Sequence, residues 1–258
     1  MERTLYLSER QGLRINRDGP SLWVRAPGQA GRRVPARLIR RVLVMGHVAL
    51  DAGCLTLFAE RGVPVTLLNR RGEAVATVLG LAEGEPQRQA RQAALLEDRP
   101  RLDRVLTWMA AWERGRQLVL ARRVDPARAA QWRSEGLRRA DYEAWVTAAA
   151  RTRGVSSGER EFFRSAVYAL VVAEVTAAGF DPHKGVLETA GPLAFAKDCA
   201  LVFRPEADRF CVEPGTAASD VLPGGNAGLA RRFESGRPHI EALVRRFLAQ
   251  FAELLWRG

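Results

Sequence analysis

Lysine is nearly missing from this chain: of 40 basic residues only Lys184 and Lys197 are lysine, and the rest are arginine. Cysteine is scarce as well. Cys54, Cys199 and Cys211 form no C-x-x-C pair, and their odd number argues against a disulfide framework, so they read as core thiols. Histidine is limited to His47, His183 and His239, too few to make a structural zinc site with those cysteines. His47 stands alone beside an apolar run and reads as structural. No apolar stretch approaches the roughly 18 residues of a membrane span, and the first residues lack a basic-then-apolar leader pattern. These absences describe a cytoplasmic protein without a membrane association. No solenoid-like repeat is present.

What the chain does have is positive charge. Its 29 acidic residues leave a net charge of +11. A GC-rich coding bias accounts for arginine in place of lysine, but not for the excess of cations over acids. Guanidinium is a planar fork that grips phosphate oxygens in pairs, and a basic surface attracts polyanions. Nucleic acid is therefore the expected partner class. The excess is sharpest between Ala110 and Ala140, where Arg114, Arg116, Arg122, Arg123, Arg128, Arg133, Arg138 and Arg139 face only Glu113, Asp125 and Glu135. These arginines are the candidate DNA-binding residues. Trp108, Trp112 and Trp132 share the stretch, and their helical spacing assigns them to a core.

Periodicity divides the chain. Residues 1–80 read as short strands with a helix from Asp51 to Arg61. Strands are expected at Thr4-Leu5-Tyr6-Leu7, Gly12–Arg17, Ser21–Arg25, Val34–Ile39, Arg41–Gly46, Gly62–Leu68 and Glu73–Val78. Gly84 and Pro86 mark residues 81–90 as a linker. Residues 91–258 read as all-helical, with breaks at Arg99-Pro100, Asp125-Pro126 and Arg153 to Gly158, a core helix from Arg160 to Ala178, and a last helix from Pro238 to Leu255. The expected class is α+β: a β-sandwich-like N-terminal domain, then a helical one.

Glu174 to Pro205 concentrates polar residues at a helix–turn–helix corner. The turn holds Asp181, His183 and Glu188, and the helix after it holds Asp198. His183 reads as a surface residue. Groups of this kind can build a metal or phosphate site.

Three motifs make the chain resemble the CRISPR-associated spacer-acquisition integrases, the larger, metal-dependent subunit of the adaptation complex. One is the strand series L-Y-L, V-x-V-M-G-x-V-x-L and R-G-V-P-V-T-L-L-N-R-R-G, from Leu5 to Gly72. The next is Ser134-Glu135-Gly136-Leu137-Arg138-Arg139-Ala140-Asp141-Tyr142, similar to a family motif whose glutamate binds metal. The third joins Tyr168-Ala169-Leu170 and Gly179-Phe180-Asp181-Pro182 to Asp198-x-x-x-x-Phe203-Arg204-Pro205.

The resemblance implies a β domain that mediates dimerisation and a helical domain that binds DNA. It also implies binding of a protospacer duplex and repeat DNA, a small partner subunit, and either a homodimer or a heterodimer with an active paralogue. The family's ligands are a glutamate, a histidine and a second acid. Here Glu135 is kept, the histidine position holds Glu188, and the second acid is Leu201, three residues after Asp198. Two readings follow. Either Glu135, Glu188 and Asp198 form a remodelled carboxylate site suited to Mg²⁺ or Mn²⁺, or catalysis has decayed and the chain binds DNA as a scaffold. A basic nucleic-acid-binding protein outside adaptation is a third, more distant reading.

Overall fold

The computed structural model describes residues 3–81, 84–187, 191–213 and 226–256. The chain separates into two compact units, 1–83 and 84–258. The class is α+β, as the sequence leads one to expect.

In the first unit, β1 (Arg3–Ser8), β5 (Ile39–Met45), β7 (Val65–Leu68) and β8 (Ala74–Val78) form one sheet in the order β1-β5-β7-β8. β2 (Arg14–Asp18), β3 (Ser21–Arg25), β4 (Arg32–Pro35) and β6 (Ala49–Leu50) form a second, ordered β4-β3-β2-β6. β1, β5 and β7 run parallel, with Leu5 opposite Val42 and Val42 opposite Val65. Parallel neighbours need crossovers. The second sheet supplies part of the first crossover, and the helix α1 (Ala52–Glu60), capped by the Asp51 carboxylate, lies within the second. One apolar cluster joins Leu7, Val42 and Val65 of the first sheet to Ile15 and Leu22 of the second, together with Cys54 and Phe58 of α1.

One expected strand divides. The Val34–Ile39 run ends as β4 at Pro35, turns through a 3-10 helix at Ala36–Leu38, and resumes as β5 in the other sheet. Pro35 sits at φ −65° and has no N–H to offer a ladder, which favours a strand end there.

The second unit is helical: α2 (Pro86–Glu97), α3 (Arg99–Val124), α4 (Pro126–Glu135), α5 (Arg139–Thr152), α6 (Ser157–Ala177), α7 (Ala194–Val202), α8 (Arg204–Val212) and α9 (Asn226–Trp256). Aspartates at the N-caps separate the middle helices. Asp98 accepts the Arg101 amide and Asp125 the Arg128 amide, each followed by a proline in the first turn, where a missing N–H costs nothing. Ser156 and Glu159 form a reciprocal capping box on α6.

Three bounds differ from the sequence reading. α2 begins at Pro86, inside the stretch read as linker, because proline is well suited to the first helical position. The helical run to Arg153 has a further break at Gly136, whose φ of 92° no helical residue adopts. α9 starts at Asn226 and carries Pro238 inside it, where a start was expected. Burial of Phe233, Ile240, Val244, Phe247 and Phe251 along one stripe holds that helix through the proline. Trp108 stacks on Phe247 at 4.6 Å, and Trp112 packs edge-on against it at 5.5 Å, so both rings serve the core. Trp132 is buried against Trp145. All three cysteines are free and buried. Among the described residues no helix is long and apolar enough to cross a membrane.

Candidate functional site

The corner between α6 and α7 is built from its backbone outward. Gly179 ends α6 at φ +77°, its amide bonding the Thr176 carbonyl and that of Phe180 bonding Val175, a Schellman stop. A side chain at Gly179 would also meet Glu85, whose Cβ lies 2.9 Å from where a Cβ would stand. The buried Gln92 of α2 then fixes the turn. Its amide nitrogen donates to the Asp181 and Lys184 carbonyls at 2.9 Å each, and its oxygen accepts the Asp181 amide at 3.0 Å. His183 joins the same scaffold: its Nδ1 accepts the amide of Leu193 at 3.2 Å. Leu193 itself sits in the left-handed region at φ 58°, a strained conformation for a branched residue.

Asp198 also acts on this turn. It is fully buried, and its Oδ2 accepts the Val186 and Leu187 amides at 2.7 and 2.9 Å. Its Oδ1 has no hydrogen-bond partner among the described residues. Burial pushes its carboxyl above the ordinary 3.8, against the two amide bonds. A raised carboxyl pKa means that the folded state binds the proton more tightly than the unfolded chain. Stability from this group is therefore full below the ordinary value and is lost as pH rises through the folded value. Asp198→Asn removes that dependence. Urea midpoints of the two proteins should shift in favour of wild type as the pH falls from neutral, and parallel curves would reject the assignment.

Beside the turn, α6 and the α7–α8 segment enclose a cleft of about 330 Å³. Lys197, Ala200, Leu201 and Arg204 line one wall at i, i+3, i+4 and i+7; Glu161, Arg164, Val167 and Tyr168 line the other. Leu201, which stands where the resemblance places an acid, thus faces the cleft, whereas Asp198 is turned toward the Val186–Leu187 backbone.

Behind the cleft lies a buried ionic network. Asp208 of α8 is wholly enclosed and meets the Arg160 Nε at 3.3 Å, the Arg164 Nη2 at 3.0 Å and the Tyr142 hydroxyl at 3.3 Å. Glu143 of α5 accepts Arg160 at 2.7 Å, Arg164 at 3.0 Å and Arg204 at 3.0 Å. Burial opposes the Glu143 charge, but Arg164, Arg204 and Arg160 together hold its carboxyl below the ordinary value. The burial of Tyr142 and the Asp208 charge push its phenol well up.

The other site residues are placed as follows. Glu135 is exposed at the end of α4, where the Gln131 side chain donates to it at 3.0 Å. Glu188 lies outside the described residues. Among the described residues no group of three or more His, Cys, Asp or Glu side chains is gathered as a metal would require. The orphaned Asp198 oxygen is a single donor, and the cleft beside it presents Lys197, Arg164 and Arg204 against one carboxylate, Glu161. Hard divalent ions take six or more oxygens, of which Mg²⁺ draws several from water and substrate phosphate and needs one or two carboxylates; among the described residues the cleft lining offers only Glu161, itself 3.5 Å from Arg164.

The eight candidate arginines divide into two groups. Arg116 is drawn into a pair with the buried Glu206 at 3.1 Å, Arg123 pairs with Glu213 at 3.0 Å, and Arg139 grips Glu113 at 2.6 Å. Arg128 reaches Gln131 at 3.3 Å. Arg114, Arg122, Arg133 and Arg138 are exposed and have no ion pair among the described residues. Sequence reading did not find the cleft cations or the Asp208 network. The available signal was spacing: Arg160 and Arg164 one turn apart on a helix read as apolar, and Lys197 and Arg204 flanking Leu201.

Against known proteins, the family model described as "CRISPR associated protein Cas1" matches residues 5–150. No curated protein sequence matches. Among solved structures, a Cas1 protein from Thermotoga maritima is similar over 99% of this chain and 98% of its own, with 14% identity and a TM-score of 0.75. A casposase bound to an integration product matches over 100% and 92% of the two chains, at 16% identity and a TM-score of 0.71. A chain of a Cas6-RT-Cas1–Cas2 complex matches 98% of this chain over 35% of its own, at 13% identity and a TM-score of 0.69. At these identities the structures bear on the fold alone.

Proposed function

The chain belongs to the Cas1 family of CRISPR-associated proteins, and on that premise we propose that it is a DNA-binding subunit of the spacer-integration assembly with little or no strand-transfer chemistry of its own. The observation that carries this reading is the cleft at the Asp198–Pro205 motif. Where the family resemblance expects a second acid, Leu201 faces the cleft between Lys197 and Arg204. In-line displacement of a phosphodiester commonly relies on divalent ions that stabilise the attacking and leaving oxygens. A wall of cations and a leucine favours holding DNA over turning it over. The free arginines of α3, α4 and the Gly136 break add a phosphate-binding surface.

The partners are a protospacer duplex and repeat DNA, a small subunit of the Cas2 type, and a second copy of this chain or an active paralogue. The casposase matched by this fold is bound to an integration product, and the Cas6-RT-Cas1 chain belongs to a complex with Cas2. The first unit is the dimerisation element in this reading and the second the DNA-binding one.

The test is incubation with a branched DNA and with a 3′-hydroxyl duplex in Mn²⁺, beside Glu135→Ala. Salt-sensitive binding without cleavage or strand transfer is the expected result. One observation favours a second reading, an active enzyme using Glu135, Glu188 and Asp198: the buried Oδ1 of Asp198 is unpartnered among the described residues. Mn²⁺-dependent product that disappears in Glu135→Ala would establish that reading and overturn the first.

A further inference from the structure

We propose that the outward face of α3 is a docking groove for an amphipathic helix of a partner protein, apolar along one face and acidic on its flanks. The groove encloses about 400 Å³ and is lined by Trp108, Ala111, Trp112, Gly115, Arg116 and Val119. Apart from Arg116 the lining is apolar, and the Arg116 guanidinium is spent on the buried Glu206 at 3.1 Å. Trp108, Ala111, Trp112, Gly115 and Val119 follow the i, i+3, i+4, i+7, i+11 spacing of a single helix face. From Trp108 to Val119 the strip runs about 16 Å, or roughly three turns of an opposing helix. Ala111 and Gly115 are exposed, and Trp108, Trp112 and Val119 are half-buried. The two indoles are anchored from inside: Trp108 stacks on Phe247, and Trp112 packs edge-on against Phe247 and Phe203. Their outer edges wall a notch at Gly115. Among the described residues a Cβ at Gly115 would meet nothing within 4 Å, so no neighbour in the chain fills that notch.

The charges around the strip select its occupant. Arg104 stands one turn before Trp108 and Arg122 one turn after Val119 on the same face of α3. On α9, Gln250 accepts the Trp112 Nε1–H at 3.2 Å, and Arg246 lies one turn before Gln250. All three arginines are exposed and make no ion pair among the described residues. Of the neighbouring acids, Glu113 is held by Arg139 at 2.6 Å, and Asp103 falls off the strip by helical spacing. Glu253, three residues beyond Gln250, is exposed and opposes the cations, which leaves the rim positive. A second copy of this chain would set the same arginines against these, and like charges facing each other oppose that pairing. A single DNA strand needs cations that follow its phosphates along an aromatic platform, whereas within this lining Arg116 is already committed to Glu206. A helix with apolar anchors at i, i+3, i+4 and i+7 and carboxylates beside them matches both the strip and the rim.

The experiment uses the full chain and two fluorescein-labelled, hydrocarbon-stapled helices of about 14 residues, a length that needs the staple to stay helical in water. Both carry leucines at i, i+3, i+4 and i+7; one has glutamates on the flanking positions and the other lysines. By anisotropy the glutamate helix should bind about tenfold more tightly than the lysine helix at low salt, and added salt should shrink the difference. Gly115→Leu should weaken the glutamate helix about tenfold by filling the notch. Its unfolding midpoint should equal or exceed that of wild type, because leucine favours a helix interior more than glycine does. Arg104→Glu combined with Arg246→Glu changes only exposed side chains and should remove the preference for the glutamate helix. The proposal is overturned if the two helices bind alike to wild type, or if Gly115→Leu leaves the glutamate helix unaffected. Loss of binding to the oligonucleotide dT6 in Gly115→Leu would overturn it in favour of a nucleic-acid platform. Wild-type self-association by sedimentation that Gly115→Leu abolishes would overturn it in favour of a second copy. Duplex binding is measured separately, and neither Arg104 nor Arg246 belongs to the arginines assigned to it, so failure of the DNA-binding reading leaves this result to be judged by itself.

Discussion

Asp208→Ala lowers the stability of the helical unit by about 3–5 kcal/mol, the usual cost of removing one partner from a buried ion pair. The residue is fully enclosed, and its two oxygens receive Arg160, Arg164 and the Tyr142 hydroxyl. Without it, Arg160 and Arg164 keep, among the described residues, only Glu143 and Glu161 as acidic partners, and a buried phenol loses its acceptor. The Arg160 and Arg164 side chains are only 13% and 11% exposed, so water replaces little of the lost carboxylate at the junction of α5, α6 and α8. For a unit of this size the loss corresponds to a fall in the unfolding midpoint of roughly 10 °C, readable by circular dichroism. Glu143→Gln should cost less, because Glu143 is partly exposed and its amide can still accept. A shift of only a degree or two in Asp208→Ala would mean that the network contributes little.

Replacing Arg114, Arg122, Arg133 and Arg138 together by alanine should weaken duplex binding about a hundredfold at low salt and reduce the slope of log K against log salt by about 3.6, since each phosphate contact contributes about 0.9. These four are exposed and carry no ion pair among the described residues, so their charge is available to DNA and their loss leaves the fold within about 0.5 kcal/mol per site. The paired arginines serve as an internal comparison. Arg116, Arg123 and Arg139 already neutralise Glu206, Glu213 and Glu113, and alanine at any of them should change the slope by less than alanine at Arg133 or Arg138. Isotherms at several salt concentrations measure this directly. An unchanged slope in the quadruple variant would remove these helices from the interface.

The strands of the first unit were legible because their apolar residues follow the runs and alternation that a sheet core requires, as in Arg41–Gly46. The switch of sheets at Pro35 was not, because a run such as Val34–Ile39 has the same composition whether it stays in one sheet or crosses to another. The Asp-Pro and Ser-x-x-Glu signals located the starts of α4 and α6, since capping is a local interaction within a few residues. Gly136 and Pro238 misled the reading because each can either break a helix or be tolerated, and only the packing around it decides which.

By itself, the sequence determined the α+β class, the excess of arginine and the family motifs, all of which depend on composition or on neighbours a few positions apart. Tertiary structure alone decided what those residues do. Asp198 and Leu201 are only three positions apart, yet Asp198 is spent on two backbone amides while Leu201 faces the cleft. Which arginines remain free was likewise settled by acids far along the chain: Glu206 and Glu213 claim Arg116 and Arg123 from about 90 residues away. Long-range pairing of charges depends on how helices pack, and no local pattern records it.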